Sequence, residues 1–486
     1  MKNFVILGAG TAGWITALSL RKFFPEDNIT MIRAKDIPII GVGEATTPQI
    51  LNFLQSCNID IGHFLKETGG SVKHAISFEN WNGDGKNYLH PFVENIADFS
   101  IPGIFDFGAF DHYVKRLIAD DLPFSDYMYQ YKLAEKCMVD VKNTVHALHF
   151  DTAKFGQYLE KVCIDRGVKI IEDKYIDIEQ NESGVITSLV LEEQKVDCDF
   201  VFDCSGMHRQ IIGKKFENKW ISYSKYLPMK KAIPFWLDAE EKIPPYTVAR
   251  ALKYGWMWQI PLQHRIGAGY VFDSDYIDEH EAKKEVEEHL GHCIEVRKVI
   301  DIDAGRFEKV WIKNCIAVGL SGNFIEPLES TSIWLQLSLM SNLKQFLDAT
   351  DDLDQSQIDL FNEITGNEVD EKMAFVHLHY LGKRNDSDFW KEFKTKTETP
   401  EIVKEILPHI KNGKLSYHYL QSYKCPAIFP LMSWLWISKG LGLIEKPFNK
   451  KGYEKLEPSP AIYAEIIDDV IKRDALDHRT LLENLR

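Results

Sequence analysis

The chain has 486 residues, of which 45% are hydrophobic, and its formal net charge at pH 7 is -15. A chain of this length buries a large core and divides into two to four structural lobes. The acidic balance, without any Lys- or Arg-rich run, argues against a nucleic-acid-binding protein.

Eight cysteines are scattered along the chain, and none forms a Cys-x-x-Cys pair. We therefore expect no zinc site, no redox motif and no other bound metal. Scattered thiols of this kind are typical of reduced cysteines in a cytoplasmic protein. Apolar stretches such as Ile428–Ile437 have about ten residues, roughly half of what a transmembrane helix requires. The N-terminus has a strand pattern and not that of a signal peptide, so we expect no membrane partner.

The N-terminal segment has the pattern of a βαβ unit, with a strand at residues 3–7, a helix at Trp14–Phe24 and a strand at Asn28–Ile32. Residues 82–130 have weak periodicity and predict an irregular covering segment. The remaining predicted elements are a helix at Phe155–Arg166, strands at Val168–Ile171, Ile186–Leu191, Phe200–Phe202 and Ile316–Val318, an aromatic strand-like region at Tyr246–Tyr270, and helices after Pro327 and from about residue 333 onward. This mixture predicts an α/β fold.

The turn after the first strand contains Gly8, Gly10 and Gly13, which match the dinucleotide fingerprint Gly-x-Gly-x-x-Gly. The first glycine allows a tight turn, the second lets the backbone approach a pyrophosphate, and the third lets helix and strand pack closely. The N–H groups at the start of the helix then face the phosphates. The alternative is a plain tight turn without a ligand.

Two other features bear on the nucleotide. The second strand ends at Arg33-Ala34, where an acidic residue usually binds a ribose hydroxyl, and Asp36 comes late. The ribose contact is therefore expected from the backbone or from elsewhere. An N-terminal fingerprint together with the later segment Phe202–Gly206 is typical of FAD proteins of the hydroxylase type. Asp203 in that segment also suits a simple turn at the end of a strand.

Four further segments carry a resemblance to a known family. They are Gly41–Thr46 (GVGEAT), Ser71–Trp81 with Lys73 ahead of an apolar strand that ends in Asn-Trp, Gly255–Pro261 (GWMWQIP) and Glu326–Thr331 (EPLEST). Their sequences, order and spacing over about residues 1–345 resemble the flavin-dependent tryptophan halogenases. The Trp-x-Trp-x-Ile-Pro motif is the most specific of the four.

The resemblance implies a Rossmann-type FAD-binding domain of the hydroxylase-like flavin monooxygenase type at residues 1–335. This domain is discontinuous, and a mostly helical substrate-side domain follows at 336–486. The implied reactants are FAD used as FADH2, O2 and a halide ion, with a separate flavin reductase that supplies the FADH2. The implied FAD contacts are Gly8, Gly10, Thr11, Ala12, Gly13, Ala34, Gly41, Val42, Gly43, Glu44, Ala45, Asp203, Leu320 and Ile333.

The resemblance also implies that hypohalous acid made at the flavin travels to Lys73. Trp256 and Trp258, with Ile260 and Pro261, would form a wall that keeps the substrate away from the flavin, although a buried aromatic strand is the alternative. A lysine in an apolar strand is costly unless its pKa shifts or it has a partner, which favours a functional Lys73 over a surface lysine. Lys73 would either polarise the acid through a hydrogen bond or form a haloamine.

Glu329 would supply the negative charge of the site, by orienting the oxidant or by removing the ring proton as a general base. Thr331 and Ser332, with Ser330 before them, would present backbone N–H groups to the halide at a loop-to-helix junction. Ser330 would also contact the substrate. Ser332 stands where the family usually has glycine, so we expect an altered halide pocket.

His90 and Phe92 match the spacing of a His–Phe pair that stacks on the indole in family members that bind free tryptophan; a loop aromatic pair is the alternative. Those enzymes hold the amino acid with a carboxylate and aromatic residues in a C-terminal helical segment. The corresponding stretch, Tyr419–Trp436, contains no matching Glu, and Trp434 and Trp436 either line a pocket or pack in the core. We therefore expect an indole- or phenol-like aromatic substrate and not free tryptophan.

Two other functions remain open from the sequence. One is a flavin-dependent aromatic monooxygenase, which would hydroxylate its substrate without using halide. The other is a non-catalytic flavin-binding protein. A homo-oligomer also remains open.

Overall fold

The computed structural model describes residues 1–34, 43–92, 132–142, 144–349, 354–416, 419–420, 422, 429–446 and 468–485. Its strands are β1 Asn3–Leu7, β2 Asn28–Arg33, β3 Glu44–Ala45, β4 Ser71–Lys73, β5 Ala75–Glu79, β6 Asn87–Pro91, β7 Met138–Val139, β8 Ala147–Phe150, β9 Lys169–Glu172, β10 Tyr175–Gln180, β11 Ile186–Leu191, β12 Lys195–Asp197, β13 Phe200–Asp203, β14 Trp220–Ser222, β15 Lys231–Asp238, β16 Tyr246–Ala251, β17 Gly255–Pro261, β18 Arg265–Phe272, β19 Ile300–Asp301, β20 Gly305–Phe307, β21 Trp311–Ile312, β22 Cys315–Ala317, β23 Asn323–Phe324 and β24 Leu476–Asp477.

The helices of the same residues are α1 Thr11–Phe23, α2 Gln49–Ser56, α3 Ile61–Thr68, α4 Thr152–Asp165, α5 Glu279–Leu290, α6 Thr331–Ala349, α7 Gln355–His379, α8 Asp388–Lys396, α9 Glu401–Lys411, α10 Leu431–Gly440 and α11 His478–Glu483. The chain forms two compact units. The first unit comprises Met1–Gly70, Phe150–Tyr223 and Asp303–Asp370, and the second comprises Ser71–His149, Ser224–Ile302 and Glu371–Arg486. The predicted domain division at residue 335 stays a prediction.

The first unit is built on a six-stranded sheet with the order β21-β22-β13-β1-β2-β9. Its central strand β1 pairs in parallel with β2 on one side and with β13 on the other. The chain therefore reverses its direction of travel across the sheet at the carboxyl ends of β1 and β13, where open α/β sheets bind their ligands. The apolar run Phe4–Leu7 is buried, as expected for a strand that is covered on both faces.

The predicted elements of the first unit are confirmed, with small changes at their ends. The strand predicted at Ile186–Leu191 has those limits in the structure. The helix predicted from Phe155 begins earlier, at Thr152, because the Asp151 side chain accepts hydrogen bonds from the backbone N–H groups of Ala153 and Lys154 and so caps the helix.

The second unit is built on a seven-stranded sheet with the order β19-β15-β18-β17-β16-β5-β6. Strand β5 pairs in parallel with β16, and the other neighbours are antiparallel. The aromatic region predicted at Tyr246–Tyr270 is resolved into β16, β17 and most of β18. One prediction is wrong in part: residues 82–130 were expected to be irregular, but Asn87–Pro91 form an edge strand of this sheet, and residues 93–131 lie outside the described part of the chain.

A short strand of the second unit, β4, pairs in antiparallel fashion with β8, and Ser71 lies opposite His149 and Lys73 opposite Ala147. The prediction of helices after residue 333 is confirmed by α6 to α11, with the exception of the two-residue strand β24. The result is an α/β fold of mixed sheets with helices towards the C-terminus.

In the described part of the chain, no helix has the length and hydropathy needed to cross a bilayer. Within the same ranges, no group of three or more His, Cys, Asp or Glu side chains is arranged around a common metal position. The cysteines described there are free thiols.

Candidate active site

The turn after β1 has a separate physical reason for each of its three fingerprint glycines. Gly8 has a φ of 111°, and a Cβ there would lie 2.4 Å from the carbonyl oxygen of Cys204. A Cβ on Gly13 would lie 1.9 Å from the carbonyl oxygen of Gly8. Gly10 differs, because a Cβ there would meet no atom within 4 Å. Gly8 and Gly13 therefore serve packing, while Gly10 leaves space beside the backbone.

That space lies at the N-terminus of α1, which starts directly after Gly10. This helix has no side-chain cap and no acidic residue in its first turn. Its first backbone N–H groups thus have no carboxylate from the same turn to bind, and an anion is the partner that such a terminus favours. The turn and the helix start fit the pyrophosphate of a dinucleotide.

Two other elements of the first unit meet α1 at Ala12. A Cβ on Gly319, which begins a short 3-10 helix containing Leu320, would lie 2.7 Å from the Ala12 side chain. From α6, Gln336 Nε2 donates a 2.8 Å hydrogen bond to the Ala12 carbonyl oxygen. The predicted cofactor residues Leu320 and Ile333 therefore belong to elements that contact the fingerprint helix. The sequence analysis did not predict this contact of Gln336. A signal for it was present, because Gln336 is a polar residue between apolar residues in the first half of α6.

Asp203 ends β13 beside Leu7 of β1 and is fully buried. Its Oδ1 accepts hydrogen bonds from the backbone and hydroxyl of Ser205, at 3.1 and 2.6 Å. Its Oδ2 accepts from the backbone N–H groups of Ile211 and Ile212, at 2.8 and 2.9 Å. These four bonds show that the carboxylate organises the loop after β13.

The end of β2 carries Arg33, whose guanidinium forms ion pairs with Glu160 at 2.8 Å and with Glu172 at 2.5 Å. Both carboxylates come from the first unit, so the guanidinium at this strand end is already paired with two anions. Ala34 follows and is partly buried. The predicted positions Asp36, Gly41 and Val42 lie outside the described residues.

Glu44, in the segment expected beside the flavin, has a raised pKa. Desolvation raises the pKa of this carboxyl to about 7, and a hydrogen bond with the Thr11 side chain partly offsets the rise. Gly43 donates its N–H to Thr152 Oγ1 at 3.2 Å, and Ala45 lies with Glu44 in β3. The described half of this segment is thereby joined to the fingerprint helix at Thr11.

The segment from Pro327 leads into α6 through a 3-10 turn, and Ser330 between them has a φ of 57°. Glu329, Ser330 and Thr331 are buried, while Ser332 is exposed. The first turn of α6 contains no acidic residue. The prediction of a loop-to-helix junction is confirmed, and its geometry suits an anion at the start of a helix.

In the second unit, Lys73 is fully buried at the end of β4, and its Nζ lies 5.1 Å from the centroid of the Phe92 ring. Phe92 is held in place by its backbone N–H, which donates to the His74 carbonyl oxygen at 2.9 Å. An ammonium at this distance from an aromatic face makes a cation–π contact. The structure thus brings together two residues that the sequence placed in one site.

The predicted wall residues lie on β17. The Trp256 and Trp258 indoles face the same side of the strand, with centroids 6.3 Å apart, and Trp256 Nε1 donates to the Tyr380 hydroxyl at 3.1 Å. Opposite Trp258 stands Gly269, where a Cβ would lie 2.1 Å from the indole. This glycine makes room for the ring. Ile260 and Pro261 are also buried.

His90 lies in a strand and not in a loop, and it is almost completely covered. Its Nε2 is 2.8 Å from Ser433 Oγ, and its ring packs on Phe375 and Phe429, at 6.0 and 6.5 Å between centroids. Trp434 packs edge-on against Phe375. These residues form one aromatic cluster, so His90 and Trp434 pack within the second unit.

The sequence did not point to the buried ion pair next to this cluster. Glu371 Oε2 and Lys372 Nζ are 2.7 Å apart, and both side chains are fully buried. Glu371 Oε1 also accepts the backbone N–H of Phe429 at 2.9 Å. The carboxylate that contacts the C-terminal segment at Phe429 therefore belongs to Glu371 of α7, and it is paired with Lys372. Trp436 is buried on α10, and residues 423–428 lie outside the described chain.

Comparison with known proteins gives one family. The family model described as "Tryptophan halogenase" matches residues 3–454. Tryptophan 6-halogenase SttH of Streptomyces toxytricini is 31% identical over 465 residues, which cover 87% of this chain and 88% of that protein. The structure of BrvH, a flavin-dependent halogenase from Brevundimonas sp. BAL3, matches with a TM-score of 0.85 at 28% identity and covers 100% of this chain and 99% of the other. That of Xcc4156, a flavin-dependent halogenase from Xanthomonas campestris, gives 0.84 at 27% identity, with 100% and 98% covered.

Proposed function

Because the chain belongs to the flavin-dependent tryptophan halogenase family, we propose that it halogenates an electron-rich, indole- or phenol-like ring other than that of free tryptophan. The observation that carries the proposal is the buried Lys73 ammonium 5.1 Å from the Phe92 ring. An aromatic substrate stacked on Phe92 would lie within reach of an oxidant held by Lys73. We also propose that the enzyme is cytoplasmic and receives FADH2 from a separate reductase.

The first unit would hold the flavin nucleotide. The pyrophosphate would lie beside Gly10 at the N-terminus of α1, where the backbone leaves space and offers N–H groups. Asp203 would act through the loop that it organises, and Glu44 would lie next to the cofactor with Thr11. When bound, reduced FAD supplies the chemistry that converts O2 and halide into hypohalous acid.

The halide would bind at the start of α6. Backbone N–H groups of Thr331 and Ser332 carry the positive end of the helix dipole, and no acidic residue of the first turn opposes an anion there. Because Ser332 is exposed, its hydroxymethyl group is compatible with the fold of the turn. Its effect would be limited to the space and hydrogen bonding at the halide.

Trp256 and Trp258 would separate the aromatic substrate from the flavin. Trp256 is fixed by its hydrogen bond to Tyr380, and Trp258 fills the space that Gly269 leaves. Two large rings held in this way have little freedom to move aside. This rigidity would block the direct contact between substrate and flavin that hydroxylation requires.

At Lys73, the reaction would be an electrophilic aromatic substitution. The Nζ–H group would donate a hydrogen bond to the oxygen of hypohalous acid and polarise its oxygen–halogen bond; formation of a haloamine on Nζ is the alternative. The ring carbon bonds to the halogen, the oxygen–halogen bond breaks, and the hydroxide takes a proton to leave as water. Glu329 would remove the ring proton as the general base, with Ser330 contacting the substrate, so that ArH and HOX give ArX and H2O.

The substrate proposal depends on the groups that could hold an amino acid. Free tryptophan presents a carboxylate and an ammonium, and burying them requires complementary partners. Glu371 and Lys372 are already engaged with each other, and Glu371 also with the Phe429 backbone. The His90 ring is enclosed by the aromatic cluster, so of the two predicted stacking residues we assign this role to Phe92. We therefore propose a substrate without the zwitterion.

A matrix of halides and aromatic substrates tests the proposal. The protein would be supplied with a flavin reductase, FAD, O2 and chloride, bromide or iodide, and products would be identified by mass spectrometry. We expect halogenated indoles or phenols, with kcat/KM for free tryptophan lower by at least about tenfold, since Glu371 and Lys372, the buried charged pair of the described C-terminal residues, already bind each other. Efficient halogenation of free tryptophan would contradict the substrate proposal. Hydroxylated product without halide dependence would indicate a monooxygenase, and flavin binding without any product a non-catalytic protein.

A further inference from the structure

The strand that carries Lys73 contains only three residues and pairs with β8 of the same unit. In the antiparallel register, Ser71 faces His149 and Lys73 faces Ala147. Side chains directly opposite one another, and those two residues apart along a strand, lie on the same face. Ser71, Lys73 and His149 therefore share a face, with His149 diagonal to Lys73. The small side chain of Ala147 leaves room for the long side chain of Lys73.

A buried chain of hydrogen bonds runs across this face. Ser71 Oγ donates to the Pro261 carbonyl oxygen at 2.6 Å and lies 2.9 Å from His149 Nδ1. Because a hydroxyl group has one proton, Ser71 must accept from His149, whose Nδ1 therefore carries hydrogen. Because burial holds the pKa of His149 well below its ordinary value, the ring is neutral, so Nε2 is the acceptor and Thr247 Oγ1, 2.9 Å away, is its donor. We call Ser71, His149 and Thr247 the polar relay.

A second histidine holds the next residue of the strand. Val72 donates its backbone N–H to His478 Nε2 at 3.0 Å, which makes that nitrogen an acceptor. His478 Nδ1 must then carry the hydrogen, and it donates to the Ile243 carbonyl oxygen at 2.9 Å. His478 is thus neutral by its hydrogen bonds alone. The partner of the Val72 N–H is therefore a group without net charge.

The electrostatics agree with this assignment. Burial, followed by the positive charge of Lys73, holds the pKa of His149 well below its ordinary value. Burial also lowers the pKa of His478 to about 4. Neither ring places a second cation or a carboxylate beside the lysine. Buried polar groups therefore lie on the same face of the strand as Lys73.

We propose that His149 is a positioning residue for Lys73. Its Nδ1–H bond to Ser71 Oγ orients the Ser71 hydroxyl towards the carbonyl oxygen of Pro261 in the Trp-x-Trp-x-Ile-Pro motif. Its Nε2 links the strand that ends in Lys73 to Thr247 of β16, and neither bond adds charge. This inference rests on the proposed role of Lys73. Lysine has four rotatable side-chain bonds, so the placement of its Nζ depends on how firmly its backbone and neighbours are held. Misplacement of about 1 Å is enough to lower a rate about a hundredfold.

The variant His149→Leu removes both hydrogen bonds of the ring. We expect FADH2 oxidation at the rate of the unchanged protein, a fall of at least about tenfold in halogenated product per FADH2 oxidised, and more hypohalous acid in solution, caught by a soluble halogen acceptor. His149→Asn should recover part of the product, because its amide N–H can replace Nδ1–H towards Ser71. The matched control is His377→Leu, a histidine equally buried in the same unit and bonded to the Tyr226 carbonyl oxygen.

The outcomes separate the two proposals. If Lys73→Ala abolishes product while His149→Leu keeps the product yield of His377→Leu, the positioning role is wrong and the role of Lys73 stands. If Lys73→Ala halogenates normally, the proposed function of Lys73 itself is wrong. Should His149→Leu fail to fold, Thr247→Val is the second variant, because it removes only the hydroxyl that donates to His149 Nε2. A lower yield of product with more hypohalous acid in solution supports the proposal. An unchanged yield overturns it.

Discussion

The turn after β1 and the strand β4 are two short, buried segments that carry the proposed chemistry in different ways. In the turn, function depends on the backbone, because Gly8, Gly10 and Gly13 have no Cβ atom that would fill the space beside it. In β4, function depends on side chains that arrive from distant parts of the chain, as the relay from Ser71 to His149 and Thr247 shows. The fold of the turn tolerates no added atom at Gly8 or Gly13, whereas a side-chain site tolerates change as long as its hydrogen bonds are replaced.

The largest expected effect is on the turn. Gly13→Ala places a Cβ 1.9 Å from the Gly8 carbonyl oxygen, so a strand or a helix must shift. We expect the free energy of unfolding to fall by about 3 kcal/mol or more, measured by denaturant titration. Gly10→Ala is the control, because its Cβ meets no protein atom. It should keep its stability but bind FAD more weakly in a fluorescence titration; equal loss of stability in both variants would refute the division between packing and ligand space.

A smaller effect is expected where a side chain supports β4. His478→Leu removes the acceptor of the Val72 N–H and leaves a buried donor without its partner, which costs about 1–3 kcal/mol in the free energy of unfolding. His478→Gln offers an amide oxygen and should recover part of the loss. If glutamine is no better than leucine in denaturant titrations, the bond to His478 does not stabilise the strand.

The raised pKa of Glu44 predicts a difference that depends on pH. The folded state holds a proton on this carboxyl up to a pKa of about 7, whereas the unfolded chain releases it near 4.5. The stability contributed by this proton is complete below pH 4.5 and is lost as pH rises through 7. Compared at each pH, Glu44→Gln should match the parent near pH 4 and exceed it by about 3 kcal/mol at pH 8. A stability difference that does not change with pH would contradict the desolvation of Glu44.

The smallest expected effect is on halide choice. Ser332 is exposed at the start of α6, so Ser332→Gly should change the free energy of unfolding by less than about 1 kcal/mol. It should nevertheless change the ratio of chlorinated to brominated product in a competition between the two halides, because the lost hydroxymethyl group lies beside the backbone N–H that we propose as the halide contact. An unchanged ratio would place the halide elsewhere.

The two regions also explain what the sequence could predict. The turn after β1 could be predicted because its strand, glycines and helix form a pattern of consecutive residues. The structure confirms this pattern at residues 3–23. The sequence did not show what Arg33 does at the strand end where an acidic residue usually binds the ribose. Its partners Glu160 and Glu172 come from distant positions in the chain. Asp203 could be placed at a strand end but not recognised as the centre of four hydrogen bonds.

Around Lys73, sequence reasoning found the lysine and Phe92 but not what holds them. His149, Thr247 and His478 have no motif of their own, and only the pairing of β4 with β8 and the folding of the C-terminus bring them to the strand. The ion pair of Glu371 and Lys372 was missed for the same reason, since its relation to Phe429 is tertiary. Residues whose role depends on long-range partners leave no signal in a single sequence.

The measurement that tests the central claim most directly is the yield of halogenated product per FADH2 oxidised in Lys73→Ala, with Lys73→Arg beside it as a variant that keeps the charge but not the shape of the ammonium. We predict FADH2 oxidation close to that of the unchanged protein in both, almost no halogenated product in Lys73→Ala, and free hypohalous acid in solution. Normal halogenation by Lys73→Ala would contradict the account.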